Sequence, residues 1–263
     1  MKKAKLTFTG TGASTGVPMV GCSCKVCSSS DPRNQRFRSS ALLEIEGKRF
    51  FIDVGPDFRL QALRAGVEKL DGIFLTHAHF DHIGGLDDLR PYHFRGKEPI
   101  PCCLSTHTWE RLKERDAYLF DYSHLEDEDS RLLSLHFLEG AQGDFFFAGI
   151  KGKFVSFYQK KTAVTGFRWG EMSYILDIKT FSSDIFTHLK GTKYLVLSAL
   201  REEESQAHLT IKEAIEFAKE VGAEKTWLSH LSHAVDHEKT SLKLPPFVQL
   251  AYDGLCVEFN VDG

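Results

Sequence analysis

The stretch that decides the fold is THAHFDHIGG, residues 76–85. It continues the apolar run GIFLT, which has the length and composition of a buried strand. Residues two apart in an extended segment share a face, so His77 and His79 can bind one metal ion. Asp81 and His82 follow on the turn into a helix, within reach of a neighbouring ion. Because imidazole and carboxylate suit zinc, manganese or iron, and ions about 3.5 to 4 Å apart serve phosphoester hydrolysis, we predict a metal site.

The composition is typical of a globular protein of moderate size. The chain has 263 residues, and its 42% hydrophobic content supports a sizeable core. Its 33 basic and 36 acidic residues give a formal charge of −3, which disfavours nucleic acid as a partner. No run approaches the roughly 18 apolar residues of a membrane span, and MKKAKLTFTG lacks the apolar core of a secretory signal. We therefore expect a cytoplasmic protein with no membrane partner.

Short β-rich runs alternate with fewer helices along the whole chain. KLTFT, SALLEIE and KRFFIDV are examples from the first half, and GKFVSFY, MSYILDI and KTWLSHL from the second. Thr210 and Glu213 form a capping box at the start of one predicted helix. Helices are predicted at about 57–65, 83–94, 107–119 and 210–221. No Pro-, Gly- or Ser-rich linker divides the chain, so we predict a single α/β domain over residues 1–263.

A second candidate metal site lies near the start of the chain. GCSCKVC places Cys22, Cys24 and Cys27 too close together to pair as disulfides without strain. A fourth ligand would complete a closed tetrahedral zinc site of the kind that stabilises a fold, and His233 would give a Cys3His set. We predict a structural zinc loop at about residues 20–38. A loop with free thiols and a redox pair are the alternatives.

These motifs resemble the signatures of the metallo-β-lactamase superfamily, beginning with H-x-H-x-D-H after an apolar strand. The resemblance implies a four-layer αββα sandwich, with two sheets between helices. It also implies that Asp177 in YILDIK bridges two metals, that His230 in WLSHLSH is the last histidine ligand, and that Asp53 in FIDVGPD supports the ligands from outside. The implied ligands of the catalytic centre are His77, His79, Asp81, His82, Asp177 and His230.

The cysteine loop, together with GTGASTGVP, DPR and DVGPDFR, is similar to the phosphoribosyl cyclic phosphate phosphodiesterase group of carbon-phosphorus lyase operons. This implies a metal-dependent hydrolase, a phosphodiesterase that acts on small, including cyclic, phosphodiesters through a metal-bound hydroxide. The cofactors would be a structural Zn2+ and one or two catalytic Zn2+, Mn2+ or Fe2+ ions. His208 in EESQAHLT matches a histidine that faces the substrate, so His208 and Asp81 are the implied catalytic residues.

Two positions depart from the pattern of these relatives. Gln159 in FYQKK stands where they carry another histidine ligand, and none of residues 137–187 is a histidine. A glutamine offers only a neutral carbonyl oxygen, which is a poorer partner for zinc than imidazole. We therefore expect the first metal, held by His77, His79 and Asp177, to bind weakly. Ser198 in LVLSALR stands where these relatives often have an aspartate. This changes a residue expected to hydrogen-bond the metal ligands from outside the centre.

Two other functions fit parts of this pattern. A metal-deficient superfamily member would bind a small molecule or a partner protein, and Gln159 and Ser198 favour it. A tRNA-processing nuclease shares the ligand motifs, but the acidic balance and the absence of a long basic insertion oppose it. The sequence also leaves open a homodimer, the physiological substrate and the native metal.

Overall fold

Two seven-stranded sheets form the centre of the protein in a computed structural model, which describes residues 2–116, 119 and 132–261. The first sheet has the order β14-β1-β2-β3-β4-β5-β6. Its strands are β1 (Lys2–Gly10), β2 (Ser40–Ile45), β3 (Lys48–Ile52), β4 (Gly72–Phe74), β5 (Ile100–Ser105), β6 (Leu133–Leu138) and β14 (Cys256–Val261). The second sheet has the order β13-β12-β11-β10-β9-β8-β7. Its strands are β7 (Gln142–Phe147), β8 (Ile150–Gln159), β9 (Thr162–Trp169), β10 (Met172–Ile175), β11 (Tyr194–Ser198), β12 (Lys225–Ser229) and β13 (Val248–Leu250).

Each sheet is antiparallel in one half and parallel in the other. In the first sheet β14, β1, β2 and β3 are antiparallel neighbours, whereas β3, β4, β5 and β6 run parallel. In the second, β7 to β10 are antiparallel and β10 to β13 are parallel. Parallel strands end at the same edge of a sheet, so the residues that follow β3, β4, β10, β11 and β12 can meet at one end of the sandwich.

Helices cover the outer face of each sheet and complete the predicted four layers. The first sheet packs against a buried cluster that includes Phe58, Leu86 and Leu112, and the second against one that includes Phe217 and Ala218. The helices are α1 (Phe58–Arg64), α2 (Phe80–Ile83), α3 (Arg90–Gly96), α4 (Thr106–Arg115), α5 (Ile185–His188), α6 (Ile211–Val221) and α7 (His237–Ser241). The αββα architecture expected from the sequence is therefore confirmed.

An aromatic core joins the two sheets. Phe74 of β4 lies at its centre, and its ring centroid is 5.1 to 5.7 Å from those of five neighbours in both sheets: Phe50, Phe145, Phe147, Phe167 and Trp169. These tilted and edge-to-face contacts add to the area that the rings bury. The strand that precedes the histidine motif is thereby fixed against both sheets.

One predicted helix is interrupted. The sequence predicted a continuous helix at 83–94, but α2 ends at Ile83, a 3-10 turn covers Leu86–Leu89, and α3 begins at Arg90. Gly84 and Gly85 disfavour helix at the break, and Pro91 lacks an N–H and so suits the first turn of a new helix.

Two other helices are close to their predicted positions. The capping box of Thr210 and Glu213 is present at the start of α6 as predicted. The helix predicted at 107–119 ends at Arg115, and residues 117–118 lie outside the described part of the chain. None of the helices in the described ranges is long and apolar enough to span a membrane.

Candidate metal centre

The predicted ligands of the catalytic centre converge at one end of the sandwich. His77 and His79 follow β4, and α2 carries Asp81 and His82. Asp177 follows β10 in the other sheet, and His230 directly follows β12. The structure therefore brings the six residues together from three separate parts of the chain.

Asp177 lies between the histidines. Its Oδ2 is 2.7 Å from His82 Nε2 and 3.7 Å from His77 Nε2, and its Oδ1 is 3.2 Å from His230 Nε2. His77 Nε2 is 2.9 Å from His79 Nδ1. We call the set His77, His79 and Asp177 the first site. We call the set Asp81, His82, Asp177 and His230 the second site.

The donor atoms of the centre fit a metal better than they fit one another. Asp177 Oδ1 and Oδ2, His82 Nε2 and His230 Nε2 are buried, and no hydrogen bond within the described residues satisfies them. They approach within ion-pair distance without the alignment of a donor to an acceptor. Buried polar atoms are rarely left unpaired, and imidazole and carboxylate are the ligands that zinc, manganese and iron share. The residues present therefore fit divalent metal ions.

The ionisable groups of the centre shift one another's pKa values. Burial and the nearby His82 hold the pKa of His77 well below its usual value, which keeps that imidazole neutral. Burial alone would raise the pKa of Asp177, but His230 and His82 outweigh it and the pKa lies well below the ordinary value. The pKa of Asp81 is lowered in the same way, against its burial, by His82 and His230. Metal ligands must be deprotonated, so the shifts of His77, Asp81 and Asp177 favour binding. Against their burial, the neighbouring carboxylates raise the pKa of His82 and of His230, so a metal ion that binds there would displace their protons.

Asp53 orients the histidine motif from behind. Its Oδ1 accepts a hydrogen bond from the Thr76 backbone N–H at 2.8 Å, and its Oδ2 lies 2.7 Å from His82 Nδ1. The Thr76 hydroxyl donates to Asp53 and lies 3.0 Å from His77 Nδ1. With Nδ1–H of both histidines donating to these oxygens, their Nε2 atoms point toward Asp177. The structure places Asp53 where the sequence predicted it. Thr76 was missed, although it opens the quoted stretch.

Three residues of the centre have left-handed backbone. Asp53, Asp177 and His230 have φ of 62°, 58° and 59°, a left-handed conformation that costs non-glycine residues free energy. Such strain persists where the surroundings impose it, which is common at functional sites. Gly55 was also missed. A Cβ atom there would overlap the Asp81 carbonyl oxygen, so DVGPD needs this glycine to pack beneath the motif.

Gln159 of the second sheet contacts His208, which lies in the loop before α6. Gln159 ends β8, and its Nε2 lies 3.1 Å from His208 Nε2 and 3.3 Å from His208 Nδ1. His208 Nδ1 is in turn 3.0 Å from Asp177 Oδ1. Ser198 pairs with Ser229 in the sheet, and its buried Oγ has no hydrogen bond among the described residues.

The four predicted ligands of the structural zinc also come together. The ligand atoms of Cys22, Cys24, Cys27 and His233 all lie within 4.8 Å of one another. The Cys27 backbone N–H and His233 lower the pKa of the Cys24 thiol to about 6, whereas burial raises that of Cys27 to about 11. Cys24 is therefore poised as a thiolate, the form that binds zinc. Three sulfurs and one nitrogen match a closed tetrahedral zinc site.

A buried arginine links the cysteine loop to the last histidines. Arg36 donates hydrogen bonds to the carbonyl oxygens of Ser232 at 3.1 Å and Val235 at 2.8 Å, on either side of His233. Its guanidinium also donates to Asn34 Oδ1 at 3.0 Å. These bonds fix the segment that carries His230 and His233. The sequence offers no signal for this role, because only the fold brings residues about 200 positions apart into contact.

Comparison with known proteins identifies the family. The model of the beta-lactamase superfamily domain matches residues 48–231, a span from β3 to the residue after His230. The chain belongs to the metallo-β-lactamase superfamily, as the motifs and the αββα fold indicate.

Within the superfamily the chain groups with PhnP-like proteins. A crystal structure described as a new diphosphatase from the PhnP family is 37% identical, has a TM-score of 0.88 and aligns over 98% of both chains.

Two relatives carry other names. An octanoyltransferase from Porphyromonas gingivalis is 36% identical over 249 residues, which are 94% of this chain, but the chain spans only 50% of that protein's length. A ribonuclease Z from Methanopyrus kandleri is 27% identical over 262 residues, with 86% of this chain and 93% of that protein aligned. Homology thus extends to proteins with different activities.

Proposed function

We propose that this protein is a metal-dependent phosphodiesterase that acts on small phosphodiesters, cyclic ones included. The observation that carries the proposal is the buried Asp177 carboxylate, with imidazole nitrogens from both sheets around it and no aligned hydrogen bond among the described residues. The 37% identity to a PhnP-family diphosphatase supports a phosphorus-oxygen bond as the target. Octanoyl transfer is not carried over, because the match accounts for only half of that relative.

His77, His79 and Asp177 would hold one ion, and Asp81, His82, His230 and the shared Asp177 the other. Bound there, divalent ions would supply Lewis acidity to the phosphodiester and lower the pKa of the water that attacks phosphorus. The identity of the native ion among Zn2+, Mn2+ and Fe2+ is part of the proposal.

The side chains around the ligands have separate tasks. Asp81 fixes the second site through its carboxylate, which lies 3.5 Å from His230 Nε2. His208, with 13% of its side chain exposed, is the group we assign to the departing alkoxide, which it would assist by donating a ring N–H. Asp53 and Thr76 keep the ligand nitrogens aimed inward, which is the preorganisation that a metal site requires.

Metal analysis of wild type and Gln159→His tests this proposal. We expect one zinc in the Cys3His site and fewer than two catalytic ions per chain in the wild type, because the amide at position 159 is a poor ligand. Gln159→His should raise the number of catalytic ions. A bis-aryl phosphate assay with added Mn2+ on the same samples should detect hydrolysis that requires metal.

Each outcome has a consequence. Two full-occupancy catalytic ions in the wild type would contradict the weakness of the first site. No catalytic metal, with both proteins inert, would favour the metal-deficient binding protein. Inactivity of both proteins with fully loaded centres would contradict phosphodiester hydrolysis.

A tRNA-processing nuclease is the second candidate, and the ribonuclease Z relative is the observation that favours it. Cleavage of a precursor tRNA at its 3′ end by the metal-loaded protein, faster than hydrolysis of the bis-aryl phosphate, would support this function over the first. The homodimer and the cytoplasmic location stay predictions.

A further inference from the structure

The His208 ring lies against two of the predicted metal ligands, His230 and Asp177. It precedes α6, two residues before the cap Thr210, and its backbone N–H donates to Ser205 Oγ at 3.3 Å. The ring stacks on His230 with centroids 4.7 Å apart and an interplanar angle of 26°. Its Nδ1 is 3.0 Å from Asp177 Oδ1. His208 thus contacts two ligands of the second site.

These contacts have the geometry of ligands that share an ion. One ligand atom from each of Asp177, His208 and His230 lies within 4.8 Å of the others. Asp177 Oδ1 has two imidazole nitrogens at 3.0 and 3.2 Å, yet no hydrogen bond within the described ranges satisfies it. Two nitrogens that approach one buried oxygen without donating to it can instead direct their lone pairs to a common ion.

Gln159 explains why the ring is held there. The side chain ends β8 at the position where a histidine was expected, and it is buried. Its amide contacts both ring nitrogens of His208, at 3.1 and 3.3 Å. Histidines that bind metals usually pair their second nitrogen with an outer partner, and an amide oxygen can accept from Nε2–H once the amide orientation is chosen. Gln159 can therefore act as the outer partner of a ligand.

We propose that His208 is a ligand of the metal in the second site and that Gln159 holds it there. The inference rests on the metal centre proposed above. The second site then has five protein ligands, while the first keeps His77, His79 and the shared Asp177. One ion is bound tightly and the other exchanges. Under this assignment His208 would serve the metal first, and the role in alkoxide departure proposed above would require the release of its ring.

The test measures metal binding directly. Holoprotein with its Cys3His zinc is loaded with Co2+ at the catalytic centre, and the affinity is obtained by competition with a chelator while the visible absorption is recorded. We expect His208→Ala to weaken the tight site more than about tenfold and to change the Co2+ spectrum. Gln159→Ala should weaken the same site, by about tenfold or less. His93→Ala is the matched control, because that ring lies on α3 and contacts the Glu98 carbonyl.

A second measurement covers the case in which His208→Ala misfolds. Wild-type protein labelled with 15N-histidine and loaded with 113Cd should show a 113Cd–15N coupling that disappears in His208→Asn. Wild-type affinity and an unchanged Co2+ spectrum in His208→Ala, or the same set of couplings in His208→Asn, would overturn the assignment.

The same samples separate this inference from the proposed function. If His208→Ala loses bis-aryl phosphate hydrolysis with normal metal binding, the ligand role is wrong and the phosphodiesterase stands. If the metal measurements change as expected but the loaded wild type hydrolyses no phosphodiester, the ligand role stands and the proposed activity is wrong.

Discussion

Asp53→Asn is the substitution that best tests how the protein prepares its metal ligands. Asp53 is fully buried and accepts hydrogen bonds from the Thr76 N–H, the Thr76 hydroxyl and His82 Nδ1–H. Asparagine keeps one oxygen for Thr76 and tolerates the left-handed φ of 62°. Its NH2 group, however, would face His82 Nδ1, and this nitrogen would then have to accept a hydrogen bond instead of donating one. The ring proton would move to Nε2, the atom that faces Asp177.

The expected magnitudes separate orientation from stability. Loss of an outer partner typically weakens metal binding about 10- to 100-fold, or about 1.4 to 2.8 kcal/mol. Asp53→Asn should therefore fold normally and bind catalytic metal more weakly. Asp53→Ala leaves the Thr76 N–H and the His82 Nδ1–H without an acceptor, which costs about 1 to 3 kcal/mol each. The left-handed φ costs alanine about 1 kcal/mol more. The free energy of unfolding of Asp53→Ala should therefore be about 3 to 7 kcal/mol lower than that of the wild type.

Competition with a chelator measures the affinity for the catalytic metal, with the Cys3His zinc counted separately. Denaturant unfolding of protein whose catalytic centre has been stripped of metal measures the free energy of unfolding. An Asp53→Asn protein that binds metal within twofold of wild type would refute the argument, because His82 would then need no acceptor behind it. A large loss of stability in that variant would instead assign Asp53 a mainly structural role.

Three further predictions follow from the packing and electrostatics. Gly55→Ala should lower the free energy of unfolding by about 1 to 3 kcal/mol and impair metal loading, because its Cβ would overlap a backbone oxygen of α2, whereas Gly96→Ala, with open space around it, should not. Cys24→Ser should remove one zinc per chain by metal analysis and lower the Tm, and the exposed Cys256→Ser should do neither. Burial raises the pKa of Asp253 to about 6, so the folded protein binds the proton of the Asp253 carboxyl more tightly than the unfolded chain does. The stability that results is fully present below about pH 4 and is lost as pH rises through 6. Asp253→Asn should remove this pH dependence of the free energy of unfolding, which amounts to about 3 kcal/mol. Identical pH profiles of unfolding for the variant and the wild type would contradict the prediction.

The sequence by itself determined the elements that depend on local patterning. Apolar runs bounded by turn residues predicted most strands, and the capping box predicted the start of α6, because both depend on neighbours a few positions away. The spacing of THAHFDHIGG is local as well, so four candidate ligands could be named from it. The prediction of a continuous helix at 83–94 was wrong, because Gly84, Gly85 and Pro91 outweighed the apolar pattern.

Only the tertiary structure decided what surrounds those ligands. Arg36 contacts carbonyl oxygens about 200 residues away, and Thr76 gains its role only because β3 lies beside β4 and brings Asp53 to it. Gln159 looked from the sequence like a lost ligand, whereas the fold places its amide against His208, and His208 against Asp177. A metal site depends on distances between atoms from strands far apart in the chain, and spacing along the sequence does not encode those distances.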